Sequence, residues 1–232
     1  MNSLLKYFSS SIGKKQIVAV TGLILVLFLM GHLAGNFFIY GGPESFNSYA
    51  EHLANLRPAL LVVEYSLGVF FLVHMLFTAC IVVENVKSRA GQYAVKSSKG
   101  KKSLATRLMP YTGTILLIFV VTHLFDFTFS NHEGIRSVLS DGQSYGLYGV
   151  VFNSFKDPVH GLFYIVAMFC LSLHLSHGIE SVFQTNGCSH PKYTPMIKAI
   201  SHGFALFMAL AYSSIPVFVF FADASVYLGK LH

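Results

Sequence analysis

The chain has 232 residues, 53% of them hydrophobic and only 11% charged, with a formal net charge of +6. So little polar surface cannot clothe a soluble globule of this size, which excludes a soluble enzyme or a nucleic-acid-binding module and leaves a membrane protein. The three cysteines, Cys80 and Cys170 inside apolar runs and Cys188 in a loop, provide neither a disulfide framework nor a CxxC-type metal site.

Five apolar segments are predicted as transmembrane helices, at Ile17–Tyr40, Ala59–Val83, Met109–Ser130, Val159–Phe183 and Ala199–Phe221, making residues 1–232 a single all-α transmembrane domain. The first is long enough to cross a bilayer and reads as a retained helix, not a cleaved signal. Pro58 and Pro158 stand where the second and fourth helices can start, whereas Pro216 lies inside the fifth and predicts a kink. The connections read as short, so successive helices run antiparallel. The segment Glu84–Leu108 differs in carrying Lys87, Arg89, Lys96, Lys99, Lys101, Lys102 and Arg107. Twelve Lys and Arg residues fall on the amino-terminal side of the membrane and four, Arg57, Arg136, Lys156 and Lys230, on the other. This bias predicts a cytoplasmic amino terminus, with the basic segment facing the membrane surface or a docking partner.

Each of the first four segments carries a histidine deep in apolar sequence: His32, His74, His123 and His174. An ionisable side chain in lipid is expensive and turns toward the bundle interior and a partner, so four on successive helices point to metal or haem ligation. At 1.5 Å per residue His32 and His123 lie about 22 and 21 Å from the cytoplasmic ends of their segments, and His74 and His174 about 14 Å. In an up-down-up-down bundle of the first four helices each depth-matched pair is diagonal. That arrangement accommodates two stacked bis-histidine haems. Gly31, Gly35, Gly68 and Gly178 lie near these histidines, where a flat macrocycle or a neighbouring helix would approach the backbone. Thr21-Gly22 precedes His32 by the same interval as Thr112-Gly113 precedes His123, so one pair's two helices present a similar face below the ligand. His177, one turn from His174, is the alternative ligand on the fourth helix. His160 and His202 fall at membrane interfaces, and His52, His132, His190 and His232 in loops or at the end.

The segments Thr21-Gly22-Leu23 through Gly31-His32-Leu33, Thr112-Gly113 through His123-Leu124, and Leu173-His174-Leu175-Ser176-His177-Gly178-Ile179 resemble the ligand segments of the single-chain, five-helix, di-haem cytochrome b subunits of succinate:quinone oxidoreductases. The resemblance covers essentially the whole chain. It implies two haems b, a distal one on His32 and His123 and a proximal one on His74 and His174. It further implies a multi-pass subunit of the bacterial cytoplasmic membrane, with iron–sulfur and flavoprotein partner subunits and a quinone, of the menaquinone type, as redox substrate. By itself such a chain does not act on succinate or fumarate. Some fumarate reductases of this type carry a glutamate two residues before the fourth ligand; Ser172 stands there in this chain, so that form of proton coupling does not carry over.

A quinone site needs polar groups at the edge of the haem stack. The candidates are Asn36, Glu51 and His52 at the distal end and His177, Gln184 and His202 at the proximal end. Physiological direction and association into a dimer of complexes stay open at this point. The competing readings are a cytochrome b subunit of a formate dehydrogenase or hydrogenase, and a proton-coupled transporter with buried histidines.

Overall fold

The structure, a computed structural model, describes residues 3–89, 104–188 and 190–222. It is helical throughout apart from turns and an isolated bridge between Val138 and Ser144. In chain order the helices are α1 (Ser3–Ser9), α2 (Ser11–Asn36), α3 (Pro43–Asn55), α4 (Ala59–Arg89), α5 (Leu104–His123), α6 (Gly146–Lys156), α7 (Pro158–Thr185) and α8 (Thr194–Phe221). Five of them, α2, α4, α5, α7 and α8, are long and apolar enough to cross a membrane, and they coincide with the five apolar segments. Their starts follow local chemistry. The Ser10 hydroxyl accepts from Gly13 N–H at 3.0 Å ahead of α2, and Asp157 accepts from Val159 N–H at 3.0 Å with Pro158 in the first turn of α7. α2 tightens into a 3₁₀ turn at Phe37–Gly41, and α5 widens into a π turn at Leu124–Thr128. Pro216 is buried within α8, which continues to Phe221.

The basic segment is partly helical, since α4 runs to Arg89 and α5 starts at Leu104. Lys96, Lys99, Lys101 and Lys102, like Lys230 and His232, lie outside the described residues.

Among the described residues α7 is the most embedded span, packed against α8, α5 and α2, while α2 also packs on α4. The pairs α2 with α5 and α4 with α7 are not among the extensive contacts. Leu33, Ala167, Met168, Leu171, Leu175, Ala205 and Met208 form the core where α2, α7 and α8 meet. Ala205 is fully buried, the close helix approach that small residues permit in lipid. Polar ties reinforce the packing. The Tyr212 hydroxyl donates to Leu29 O at 2.7 Å, joining α8 to α2, and ion pairs join Lys14 to Glu84 and, at 3.5 Å, Lys198 to Glu180. Large apolar side chains on the outer faces, such as Val62, Tyr65 and Val69 of α4, are exposed, as lipid contact requires.

The connections on the side opposite the amino terminus are longer and more ordered than the sequence predicts. Residues 37–55 and 129–157 build a cap over that end, in which Ile39, Phe46, Leu139, Tyr148, Val151, Phe152 and Phe155 pack on Tyr164, Ile215 and Val219 of α7 and α8. Asn47 joins the two halves: its side-chain carbonyl accepts from Tyr148 N–H at 3.0 Å and its amide donates to Tyr145 O at 2.8 Å. It therefore satisfies the first turn of α6 from another helix. Gly149 is glycine because a Cβ there would collide with the Ser137 carbonyl.

Candidate functional site

The four deep histidines come together in two pairs. His32 of α2 and His123, the last residue of α5, face each other with ring centroids 5.7 Å apart and planes nearly perpendicular. Aromatic rings enclose them: Phe28 stacks on His32 at 5.3 Å, Phe119 on His123 at 5.7 Å, and Phe127, Tyr164 and Tyr212 lie within 5.3–6.3 Å of one or the other. His123 Nδ1 is buried and has no hydrogen-bond partner.

The second pair is held by hydroxyls. His74 Nδ1 lies 3.1 Å from Thr21 Oγ1 of α2, and His174 Nδ1 3.3 Å from Thr112 Oγ1 of α5; His174 is within electrostatic range of both His74 and His177. Each threonine uses its own proton one turn back, Thr21 toward Ile17 O at 2.7 Å and Thr112 toward Leu108 O at 3.1 Å. The hydroxyl must then accept from the imidazole, which assigns the proton to Nδ1 and leaves the Nε2 lone pair for a ligand. His74 also has the Val18 carbonyl, a pure acceptor, as a backbone partner.

Glycines complete the fit. A Cβ at Gly22 would come within 3.1 Å of His74 Cε1, so the glycine lets that imidazole lie close against the helix backbone, whereas a Cβ at Gly113 would make an ordinary contact with His174 Cε1 at 3.6 Å. At Gly31, Gly68 and Gly178 a Cβ would meet nothing within 4 Å. Gly35 differs from the expectation of a cofactor-facing position, because it makes room for the Tyr49 side chain of α3.

Thr21 lies eleven residues before His32, and Thr112 eleven before His123. The two pairs therefore sit at levels about 16 Å apart along α2 and α5. The Thr-Gly repeat thus serves the other pair's histidines, not its own helix's ligand. No cluster of three or more His, Cys, Asp or Glu suited to a bare metal ion occurs among the described residues. A haem iron would need two histidines from the protein, and each level holds two.

The six residues expected at a quinone site are scattered. The Asn36 amide donates to His32 O at 2.7 Å, closing its own helix. Glu51 and His52 are exposed on α3, a helix and not the loop expected for His52. Gln184 donates to Glu180 at 2.8 Å on the surface, and the exposed His202 bonds through Nδ1 to Lys198 O at 2.7 Å. His177 is half-buried beside His174. A polar cluster that sequence reading missed lies at the capped end. Asp126, three residues after His123, accepts from the Tyr164 hydroxyl at 2.8 Å and lies 3.0 Å from His160 Nε2 and 3.8 Å from Arg136. Its signal was a carboxylate inside the apolar run Leu124-Phe125-Asp126-Phe127.

Comparison of the chain with protein-family models, with curated proteins and with solved structures finds no match.

Proposed function

We propose that this chain is a membrane-embedded di-haem cytochrome b that passes electrons between a soluble iron–sulfur partner and membrane quinone, as the anchor subunit of a succinate:quinone oxidoreductase. The observation that carries the reading is the sorting of four intramembrane histidines onto two levels, His32 and His123 with ring centroids 5.7 Å apart, and His74 and His174 within electrostatic range of each other with each Nδ1 against a threonine hydroxyl. The resemblance of the helix segments around His32, His123 and His174 to that family adds the partners: the iron–sulfur subunit and, beyond it, the flavoprotein. In this reading the two pairs span diagonals of an up-down-up-down bundle.

The residues fit a haem at each level. His74 and His174 would hold the one nearer the amino-terminal side, and His32 and His123 the one under the cap. A bound b haem supplies reversible one-electron chemistry at its iron. Thr21 and Thr112 orient the imidazoles and hold a proton at Nδ1, a role that second-shell hydrogen bonds commonly play for metal-bound histidine. Phe28, Phe119, Phe127 and Tyr164 keep water from the other pair. With the amino terminus cytoplasmic, the His74–His174 level faces the soluble subunits, whose docking the positive charge of the sequence 84–108 would favour.

Purification of the chain with its native partners tests this reading. It requires two haems b per chain with low-spin, six-coordinate spectra, and co-purified iron–sulfur and flavin subunits. One haem per chain, or high-spin iron, overturns the two-pair arrangement, and a molybdenum or nickel enzyme as partner overturns the choice of complex.

A further inference from the structure

Apolar spanning sequence tolerates a carboxylate poorly, yet Asp126 sits in such a run with its side chain only 14% exposed. The π turn Leu124–Thr128 carries it three residues past His123, within electrostatic range of that imidazole. Its oxygens turn toward α7, where the Tyr164 hydroxyl donates at 2.8 Å and His160 Nε2 lies at 3.0 Å. Arg136 is the looser partner: its guanidinium is 3.8 Å from the carboxylate, its side chain is 45% exposed, and it donates to Ser154 Oγ at 3.0 Å. Asp157, the other acid beside this cluster, is engaged as the cap of α7 through Val159 N–H. A mostly buried negative charge opposed by a positive one shared with water leaves a net negative field on the histidine side.

The amino-terminal level is arranged otherwise. Glu84 and Glu180 lie ten and six residues beyond His74 and His174, and each is ion-paired with a lysine, Lys14 and Lys198. A negative charge beside a redox centre stabilises the oxidised, more positive form and so lowers the reduction potential.

We infer that Asp126 holds down the reduction potential of the haem on His32 and His123 through its charge, and that Arg136 trims the effect. That role rests on the di-haem reading above. Asp126 acts through space and is no ligand; its hydrogen bond from Tyr164 is a separate tie between α5 and α7.

Redox titration of the haem-loaded full chain in lipid nanodiscs tests it, with the relevant haem identified as the component that His123→Ala removes. Asp126→Asn keeps an oxygen that accepts from Tyr164 and deletes the charge. It should raise that haem's potential by about 59 mV, a tenfold change in a one-electron equilibrium, and leave the other haem in place. Arg136→Gln should move the same potential the opposite way and by less, because water screens an exposed guanidinium. Tyr164→Phe removes the tie and keeps the charge, so it should move the potential least. Equal shifts at both haems, shifts of like sign for Asp126→Asn and Arg136→Gln, or a Tyr164→Phe shift as large as that of Asp126→Asn overturn the proposal. Should Asp126→Asn lose haem, Arg136→Gln decides alone: a potential unmoved or raised overturns it. The unsubstituted chain without two b haems sinks the electron-transfer reading, whereas two haems with these shifts absent sink the role of Asp126 alone.

Discussion

The two histidine pairs solve the same problem by different means. At the amino-terminal level each imidazole is tied through Nδ1 to a threonine on a neighbouring helix and lies against a glycine. Under the cap the imidazoles are walled by rings: Phe28, Phe119, Phe127, Tyr164 and Tyr212 surround them, the two tyrosine hydroxyls bond to Asp126 and Leu29 O, and His123 Nδ1 is orphaned. A hydrogen bond fixes both ring angle and protonation site, while an aromatic wall fixes the plane and excludes water but leaves the tautomer free. The first level thus fixes the geometry and protonation of its imidazoles, and the second keeps its imidazoles dry and leaves their tautomers open.

Replacing the histidines tests the proposed di-haem pairing most strongly. His74→Ala and His174→Ala should each abolish one and the same haem component, and His32→Ala and His123→Ala the other, leaving one haem per chain in redox-resolved spectra. If His177→Ala mimics His74→Ala while His174→Ala keeps both haems, the fourth-helix ligand is misassigned. A smaller effect sharpens the contrast. Thr21→Val or Thr112→Val should weaken haem retention at the His74–His174 level about 10–100-fold and leave the other level's spectrum untouched, with Thr→Ser restoring both. Equal losses at the two levels would show that the threonines act on the fold and not on the imidazoles. Tyr212→Phe acts on the capped level: loss of its bond to Leu29 O should cost about 1 kcal/mol of stability, read from thermal melting, with haem content preserved.

The smallest effect lies in the cap's turn. The exposed Asp141 carboxyl is held below its ordinary range by the Gln143 amide and then by the Tyr145 hydroxyl, at 3.0 and 2.8 Å. Because its folded-state value is lowered, the turn's contribution is complete above the ordinary carboxylate range and fades as pH falls through the lowered value. Asp141→Ala should remove that acid dependence from amide exchange at Gln143 and change neither haem.

The five spans were legible because backbone in lipid leaves helix as the open-chain solution, and an apolar run of span length is a strong signal. The four histidines were legible for the same reason: each breaks such a run. Their separation was less so. Counting from segment ends puts the two levels about 8 Å apart, half the spacing that the contacts give, because the helices on the amino-terminal side end at staggered heights. Thr21 and Thr112 stood out as a repeat, yet which histidine each would meet depended on helix packing that no spacing encodes. Helix α3 hides in polar sequence, although Gly42-Pro43-Glu44 is a helix start, and α6 is too short and too apolar to be told from a strand. The Asp126 cluster escaped because its members come from three elements whose only common property is the end of the bundle they share.

Asn47 carries a consequence for how the chain is made. The carbonyl and N–H that it grips belong to residues 98 and 101 positions later, so at 5–20 residues per second α3 waits on the order of 5–20 s for its partner to exist. During that interval the far face of the nascent protein is an open half-cap with an unpaired amide. Closure at Tyr145–Tyr148 comes after α4 and α5 have been synthesised and while α7 is still to come. A chain stalled between α3 and α6 would therefore be recognisable by protease sensitivity at Gly42–Arg57.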